Sequence, residues 1–587
     1  MSELRFNEYL GVNGIVHKQA PEWFKKRHYI IRKAFPSPYR EDPDPLASTV
    51  SDAISRVDAL KHEPGGPSIL GEGPFRPKGP HYEDARSAKL AANMQTLDET
   101  ITQSVDLFKG LSNWNHPLTM PNVIPPANIA AMTAAMLTEV FSPNIIEGEY
   151  SWNVEMAELE SAAMLARLFG WDPEVAGGLY TFGGSGCYFY GLKYALTRVL
   201  GKDSRMKGIR TDGKILVSQQ GHYCKMKSTD WTGLGMNNIV NIQTDGKTNA
   251  MDIAVLEEVM EKCCKDGIPV ISIICTMGST DAFAVDPVKK VRELIEKYPN
   301  PPGYGKPFLY CDAVIGWAWT TFDNYNFEAN PMGFRDSVKR AIQANLEAIK
   351  QMEYADAVGC DFHKVGWSPY NSSIFMMKDY GEYQRLMSRP GSDYLQERTS
   401  YNPGNYTLEV SRSGSYAMAG WATLKYFGHE GFQAILGGIL EIQYELRDMI
   451  SHEPDMICVN ADDNGFVTLF RIYPKGVNAT VQYQKELSWA DCKDELMKHN
   501  RLQEKVADTL WRWYKECRTI DGSNITYTSL STGFRPTEYN RDESDSNAMI
   551  YALKSFPMNV FIDLDAMQTL IKVVRAARDE VIENGWL

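Results

Sequence analysis

Three things are scarce in this sequence, and each scarcity excludes something. Basic residues are outnumbered, 61 lysines and arginines against 74 aspartates and glutamates, for a net charge of −13. That balance argues against a general nucleic-acid binder, because neutralising phosphates needs a basic surface. Long apolar runs are missing: "IPVISIICTMG" is among the longest and falls well short of the ~20 residues of a membrane span. The N-terminus, "MSELRFNEYLGVNG", carries charges where a secretory leader needs an apolar core, so a cytoplasmic location is expected. Cysteines are few and scattered; of ten, only Cys263 and Cys264 are adjacent and no C-x-x-C pair occurs. Such spacing fits reduced, buried thiols better than a disulfide framework or a zinc site.

What is present is the composition of a globular protein, 43% hydrophobic and 23% charged over 587 residues, too long for one compact core. Residues 1–124 are rich in proline, glycine and charge ("PSPYREDPDPLAS", "EPGGPSILGEGPFRPKGPHYED") and are expected to wrap around another domain or subunit. From 125 to 420 the texture changes to strand–helix alternation, which predicts a large α/β domain with a mostly parallel sheet. "KILVSQ", "IVNIQ", "PVISIIC", "PFLYC", "DAVGCD" and "SSIFMM" read as strands. "NIAAMTAAMLTEVF", "EMAELESAAMLARLFG" and "MDIAVLEEVMEKCCKDG" read as helices, with Gly170 and Gly267 as stops. In "DPVKKVRELIEKY", Asp286 is the expected N-cap and Pro287 the first helical residue. Residues 421–587 are expected to form a smaller C-terminal domain.

Open α/β sheets bind ligands beyond the carboxyl ends of their strands, so the residues after each apolar run matter most. "TFGGSG" is a glycine-rich turn opening a helix, where backbone amides and Ser185 could hold a phosphate. It matches neither a P-loop nor G-x-G-x-x-G. His222 follows "KILVSQQG", Thr276 ends "PVISIICT", Asp312 follows "PFLYC", and Asp361, His363 and Lys364 follow "DAVGC". A phosphate loop, a flat imidazole, a hydroxyl, a carboxylate and a lysine at successive strand ends match the needs of pyridoxal phosphate. That cofactor requires a lysine to hold it covalently, an anion for its pyridine nitrogen and donors for its phosphate. Lys364 must lose a proton to act, and an apolar or cationic neighbourhood is expected to lower its pKa.

The order of "TFGGSG", "GHYCKMKS", "TMGSTDAFAVDP", "CDAVIG", "DFHKVGWSPYNSS" and "SRSGSYAMAGWATLKYFGHEGF" resembles the group II pyridoxal-phosphate-dependent decarboxylases, above all the bacterial tyrosine decarboxylase branch. The resemblance spans Trp114 to Gly431. It implies the aspartate aminotransferase fold (fold type I, α/β), with a seven-stranded, mostly parallel sheet and a small C-terminal α+β domain. It further implies a homodimer with active sites at the subunit interface. It assigns Lys364 to the covalent anchor, Asp312 to the pyridine nitrogen, His222 to ring stacking and catalysis, and Gly184, Ser185, Thr276 and His363 to the phosphate. Val314 stands where an alanine is common behind the ring. His116 and Asn122, in "WNHPLTMPNVIPPAN", fall in the segment that meets substrate, and Tyr370 borders it. "IIEGEYSW" puts Glu147 and Glu149 near the side-chain pocket, and Leu553 replaces an expected serine. A tyrosine in "RPGSDYLQERTSYNPGNYTLE" would protonate Cα, with Tyr394 the first choice and Tyr401, also a candidate substrate contact, the second. The implied reaction is α-decarboxylation of an L-amino acid, aromatic and tyrosine-like, to the amine and carbon dioxide. The alternatives are an acidic or basic substrate, such as glutamate or 2,4-diaminobutyrate, or a sphingosine-phosphate-type lyase.

Overall fold

The apolar runs of the sequence become the strands of one sheet. The structure, a computed structural model, describes residues 5, 8–11, 15–42, 44–72, 82–389, 398–488, 490–534 and 549–586. Seven strands form the sheet: β1 (Gly177–Thr181), β2 (Lys214–Ser218), β3 (Ile239–Ile242), β4 (Val270–Thr276), β5 (Phe308–Asp312), β6 (Ala357–Asp361) and β7 (Ser373–Met377). Their order is β1-β7-β6-β5-β4-β2-β3; β7 is antiparallel to both its neighbours and every other pairing is parallel. Strands covered on both faces need apolar residues at every position, which is why β4 reads as an unbroken run and is buried throughout. Along β2, Ile215 and Val217 join one apolar cluster and Leu216 the other, the two-residue period of a pleated strand.

Five helices frame the sheet and its site: α1 (Ile129–Phe141), α2 (Glu155–Leu168), α3 (Gly184–Leu200), α4 (Cys224–Trp231) and α5 (Ser415–Ser451). Asn128 caps α1 by accepting the Ala131 amide. The helix α5 runs through position 421 and kinks at Gly428, whose φ of +52° interrupts the helical backbone at a residue without a Cβ. Beyond it lies a four-stranded antiparallel sheet of β8 (Met456–Cys458), β9 (Thr468–Ile472), β10 (Ser529–Phe534) and β11 (Ile550–Ser555), in the order β10-β11-β9-β8.

The chain divides into two compact units, Met1–Asn113 with Lys515–Cys517, and Trp114–Tyr514 with Arg518–Leu587. The first contains the helices Glu22–Ala34, Pro45–Asp58 and Leu97–Asp106, the last opened by a capping box between Thr96 and Glu99. Among the described residues no helix is long and apolar enough to cross a membrane.

Two local readings need correction. Asp286 does not cap the following helix, which starts at Val288 with no side-chain cap. Its carboxylate instead accepts the Thr276 and Met251 amides, both at 2.7 Å, because those N–H groups are buried and otherwise orphaned. The strand Gly177–Thr181 was not among the expected runs; its two leading glycines carry no β signal, and its place is set by pairing with β7.

Candidate active site

The parallel strands point their C-terminal ends to one edge of the sheet, and β4, β5 and β6 put Thr276, Asp312 and Asp361 there. In register, Thr276 pairs with Asp312, and Asp312 with Gly359. A cavity of about 290 Å³ opens beside these ends. Gly184, Ser185, His222, Asp312, Val314, His363, Lys364 and Tyr370, eight of the residues expected from sequence, line it. The turn before α3 needs Gly183 at a φ of +98°, and a Cβ on Gly184 would lie 3.0 Å from the Asp361 carboxylate.

The chemistry centres on Lys364, one turn after β6. Its Nζ lies 2.7 Å from Asp361 Oδ2, while Ser373 Oγ donates to the other carboxylate oxygen at 2.6 Å. His363 Nε2 stands 3.4 Å from the same Asp361, and its ring packs 4.3 Å from that of Tyr370. Burial works against the Lys364 ammonium, but Asp361 outweighs it and raises the lysine's pKa. This corrects the sequence expectation of a lowered value: the neighbour is an anion, which favours the charged amine. Burial likewise opposes the Asp361 anion, and the charges of Lys364 and His363 with the Ser373 hydrogen bond hold its pKa below the ordinary value.

Asp312 is a second buried carboxyl, and burial pushes it up to about 6 against the pull of Lys364. Burial and the Lys364 charge push His222 down to about 4, so its imidazole is neutral at pH 7. Its Nδ1 accepts the Cys224 amide at 3.2 Å, which places the ring proton on Nε2. Ser185 Oγ meets Cys224 Sγ at 3.2 Å. The Thr276 hydroxyl is buried with no hydrogen-bond partner among the described residues.

Other expected residues lie elsewhere. The His116 ring nitrogen accepts the Leu118 amide, and Asn122 is exposed and accepts the Val123 amide; neither lines the cavity among the described residues. Tyr401 is buried, with its hydroxyl donating to Glu158 at 2.6 Å. Glu147 is buried outside the lining, Glu149 accepts the Arg398 amide, and Leu553 is buried in β11. Tyr394 lies outside the described residues. Conversely, Tyr188, Cys224 and Asn371 line the cavity without having been expected there. Tyr188 stands four residues after Gly184 on α3, the same helical face, which is the signal that could have found it.

These residues fit pyridoxal phosphate. The cavity holds a lysine amine, a carboxyl at the end of a strand, a neutral imidazole and a glycine turn with the Ser185 hydroxyl, while the partnerless Thr276 hydroxyl lies outside its lining among the described residues.

The comparisons point the same way. The family described as the pyridoxal-dependent decarboxylase conserved domain matches residues 80–316. The chain is 22% identical to L-2,4-diaminobutyrate decarboxylase of Acinetobacter baumannii, over 65% of this chain and 72% of that protein. It is 27% identical to L-tyrosine decarboxylase of Enterococcus faecium, over 42% of each, so the match spans less than half of that relative. Among solved structures, Oryza sativa TDC with PLP and tryptamine superposes with a TM-score of 0.68 at 15% identity, covering 93% of this chain and 99% of that one. The glutamate decarboxylase domain of a diaminobutyrate-pyruvate transaminase and L-2,4-diaminobutyrate decarboxylase from Vibrio parahaemolyticus gives 0.69 at 17%, covering 94% and 99%. The fold is therefore that of the fold type I enzymes, and the matched family and relatives support a carboxy-lyase whose cofactor is pyridoxal phosphate.

Proposed function

We propose that the protein removes the α-carboxylate of an L-amino acid with an aromatic, tyrosine-like side chain. The observation that carries this reading is the meeting of Lys364, Asp361, Asp312 and His222 in one cavity whose wall also includes Phe182, Tyr188, Tyr223 and Tyr370. Aromatic walls favour a planar apolar side chain by burial and ring contact. Pyridoxal phosphate bound there supplies an electron sink for the pair left on Cα as carbon dioxide departs.

The chain's own groups do the rest. Lys364 Nζ would hold the cofactor covalently and Asp312 would keep its ring nitrogen protonated. Gly184, Ser185, Thr276 and His363 would meet the phosphate, with Val314 beside the ring. His222, neutral, offers a flat face and an Nε2 proton rather than a base. Burial of both carboxyls keeps water away, which strengthens each charge contact. Tyr394 returns the proton to Cα. His116 and Asn122 are assigned to substrate contact in the assembled dimer, and Tyr401 to the core beside Glu158.

The dimer is supported by α1, which exposes Ile129, Met132, Met136, Leu137 and Phe141, a continuous apolar stripe at helical spacing. In the assembly we assign residues 1–124 to wrapping the partner, 125–420 to cofactor binding and 421–587 to a smaller domain. We place the enzyme in the cytoplasm. A second reading, a basic substrate such as 2,4-diaminobutyrate, is favoured by the larger share of the chain matched by the Acinetobacter enzyme.

Carbon dioxide release across tyrosine, 3,4-dihydroxyphenylalanine, 5-hydroxytryptophan, glutamate, ornithine and 2,4-diaminobutyrate decides. Turnover confined to the aromatic members is the expected result; turnover of 2,4-diaminobutyrate alone would install the second reading.

A further inference from the structure

A second cavity, of about 250 Å³, lies on the far half of α3. Three cationic side chains line it, Lys193, Arg205 and Arg389, and among the described residues no aspartate or glutamate does. In a chain of net charge −13 that is an unusual concentration of one sign. Two of the three have evident structural work. Arg205 donates to the Leu386 and Ser388 carbonyls at 2.8 and 2.6 Å, and Arg389 donates to the Gly404 carbonyl at 3.0 Å, tying the flanking loops.

Lys193 has none. It is half-buried, and among the described residues its ammonium has neither a hydrogen-bond nor an ion-pair partner. Burial, reinforced by the charge of Arg205, lowers its pKa. A partly desolvated cation without a counter-ion is costly, and an anion arriving from solvent removes that cost. The remaining wall is aromatic. Tyr406 is buried, its hydroxyl held by Tyr380 and Gln384, and Trp231 at the end of α4 is 78% exposed, a large indole left beside a cavity mouth. The volume lies below the range for drug-sized ligands, so the occupant is small.

We propose that this cavity binds a small aromatic monocarboxylate, its carboxylate met by Lys193 and Arg205 and its ring lying against Trp231 and Tyr406. One ammonium without a partner among the described residues, beside two guanidiniums already bonded to carbonyls, matches a single negative charge better than a dianion. Shape and charge together separate this site from the one around Lys364, which contains two carboxylates of its own.

Isothermal titration of the holoenzyme with 4-hydroxyphenylacetate, which lacks the amine needed to react at Lys364, tests the site. One binding event per chain is expected, weakened about tenfold or more in Lys193→Met and in Trp231→Ala, and kept in Lys364→Ala. Trp231→Ala alters an exposed side chain, so it tests the site even if Lys193→Met folds poorly. Binding that is unchanged in both site variants, or lost in Lys364→Ala, would overturn the proposal. So would binding of tyramine, which has the ring without the anion, or of inorganic phosphate, which has charge without the ring, that equals that of 4-hydroxyphenylacetate and is weakened in the same way by Lys193→Met and Trp231→Ala.

Discussion

Asp361 holds Lys364 in its charged form at 2.7 Å, yet a lysine must be neutral to attack a carbonyl carbon. Asp361→Asn removes the main anion and leaves burial opposed only by the weaker influence of Asp312 and Tyr370, so the amine should deprotonate at lower pH. The pH profile of cofactor capture by the apo-protein, followed by its visible absorbance band and by borohydride labelling, should move to lower pH; an unmoved profile would dismiss the ion pair as the controlling contact. Two other buried groups set the apo-protein's stability with opposite signs. His222, at about 4 folded against 6.5 unfolded, binds fewer protons when native, so its contribution is full above 6.5 and is lost as pH falls toward 4. The difference amounts to roughly 3 kcal/mol. Asp286, raised by burial to about 7, contributes most below its unfolded value of 3.8 and loses that contribution as pH rises through 7. Urea midpoints of apo wild type and His222→Gln between pH 4 and 7 should converge at the acid end. Asp286→Asn turns an amide N–H toward one of two backbone N–H groups, and should cost about 1–3 kcal/mol at pH 6, read from the same midpoints.

The segment after residue 398 ties several elements together. Arg412 donates to the Ile145 and Tyr180 carbonyls and pairs with Glu158, which also accepts the Tyr180 amide and the Tyr401 hydroxyl. Arg412 and Glu158 are both fully buried, so this cluster locks α2, β1 and the "SRSG" segment together just ahead of the glycine turn. Arg412→Met strands a buried carboxylate and should cost about 3–5 kcal/mol, whereas Tyr401→Phe should cost about 1.5–3. Thermal denaturation of the two variants checks the ranking, and a milder loss in Arg412→Met would refute it. Nothing local marks Tyr401 as a core residue: it sits in a polar, glycine-containing stretch, and its partner Glu158 is distant in sequence. The strands behaved differently. β4, β5, β6 and β7 are buried on both faces, so the sheet was legible as uninterrupted apolar runs, and with it the residues at their ends. The Asp286 cap failed because the local N-cap pattern was outbid by buried amides on two other elements.

At the scale of the molecule, the exposed stripe of α1 is the clearest sign of association. If the proposed dimer forms through it, Leu137→Glu with Phe141→Glu puts two charges on it and should shift the sedimentation of the holoenzyme from dimer to monomer at micromolar concentration; a wild type that sediments as a monomer would remove the dimer. An unshifted dimer would move the interface to another face. His116 and Asn122 illustrate what a motif cannot give: it shows which residue types occur, but neither residue lines the cavity among the described residues.

The antiparallel β7 has a consequence for how the molecule is made. It sits between β1 and β6, so Thr181 has no neighbour in the sheet until Ser373 has been synthesised. On the ribosome, β1 and the glycine turn behind it must wait, unpaired, while β2 through β6 assemble in chain order with their own neighbours. A nascent chain stopped between Lys364 and β7 therefore carries Asp312 and Lys364 in a nearly finished sheet, with β1 still unpaired. Within the seven-stranded sheet, the last strand to be translated is the one that pairs β1 with the rest.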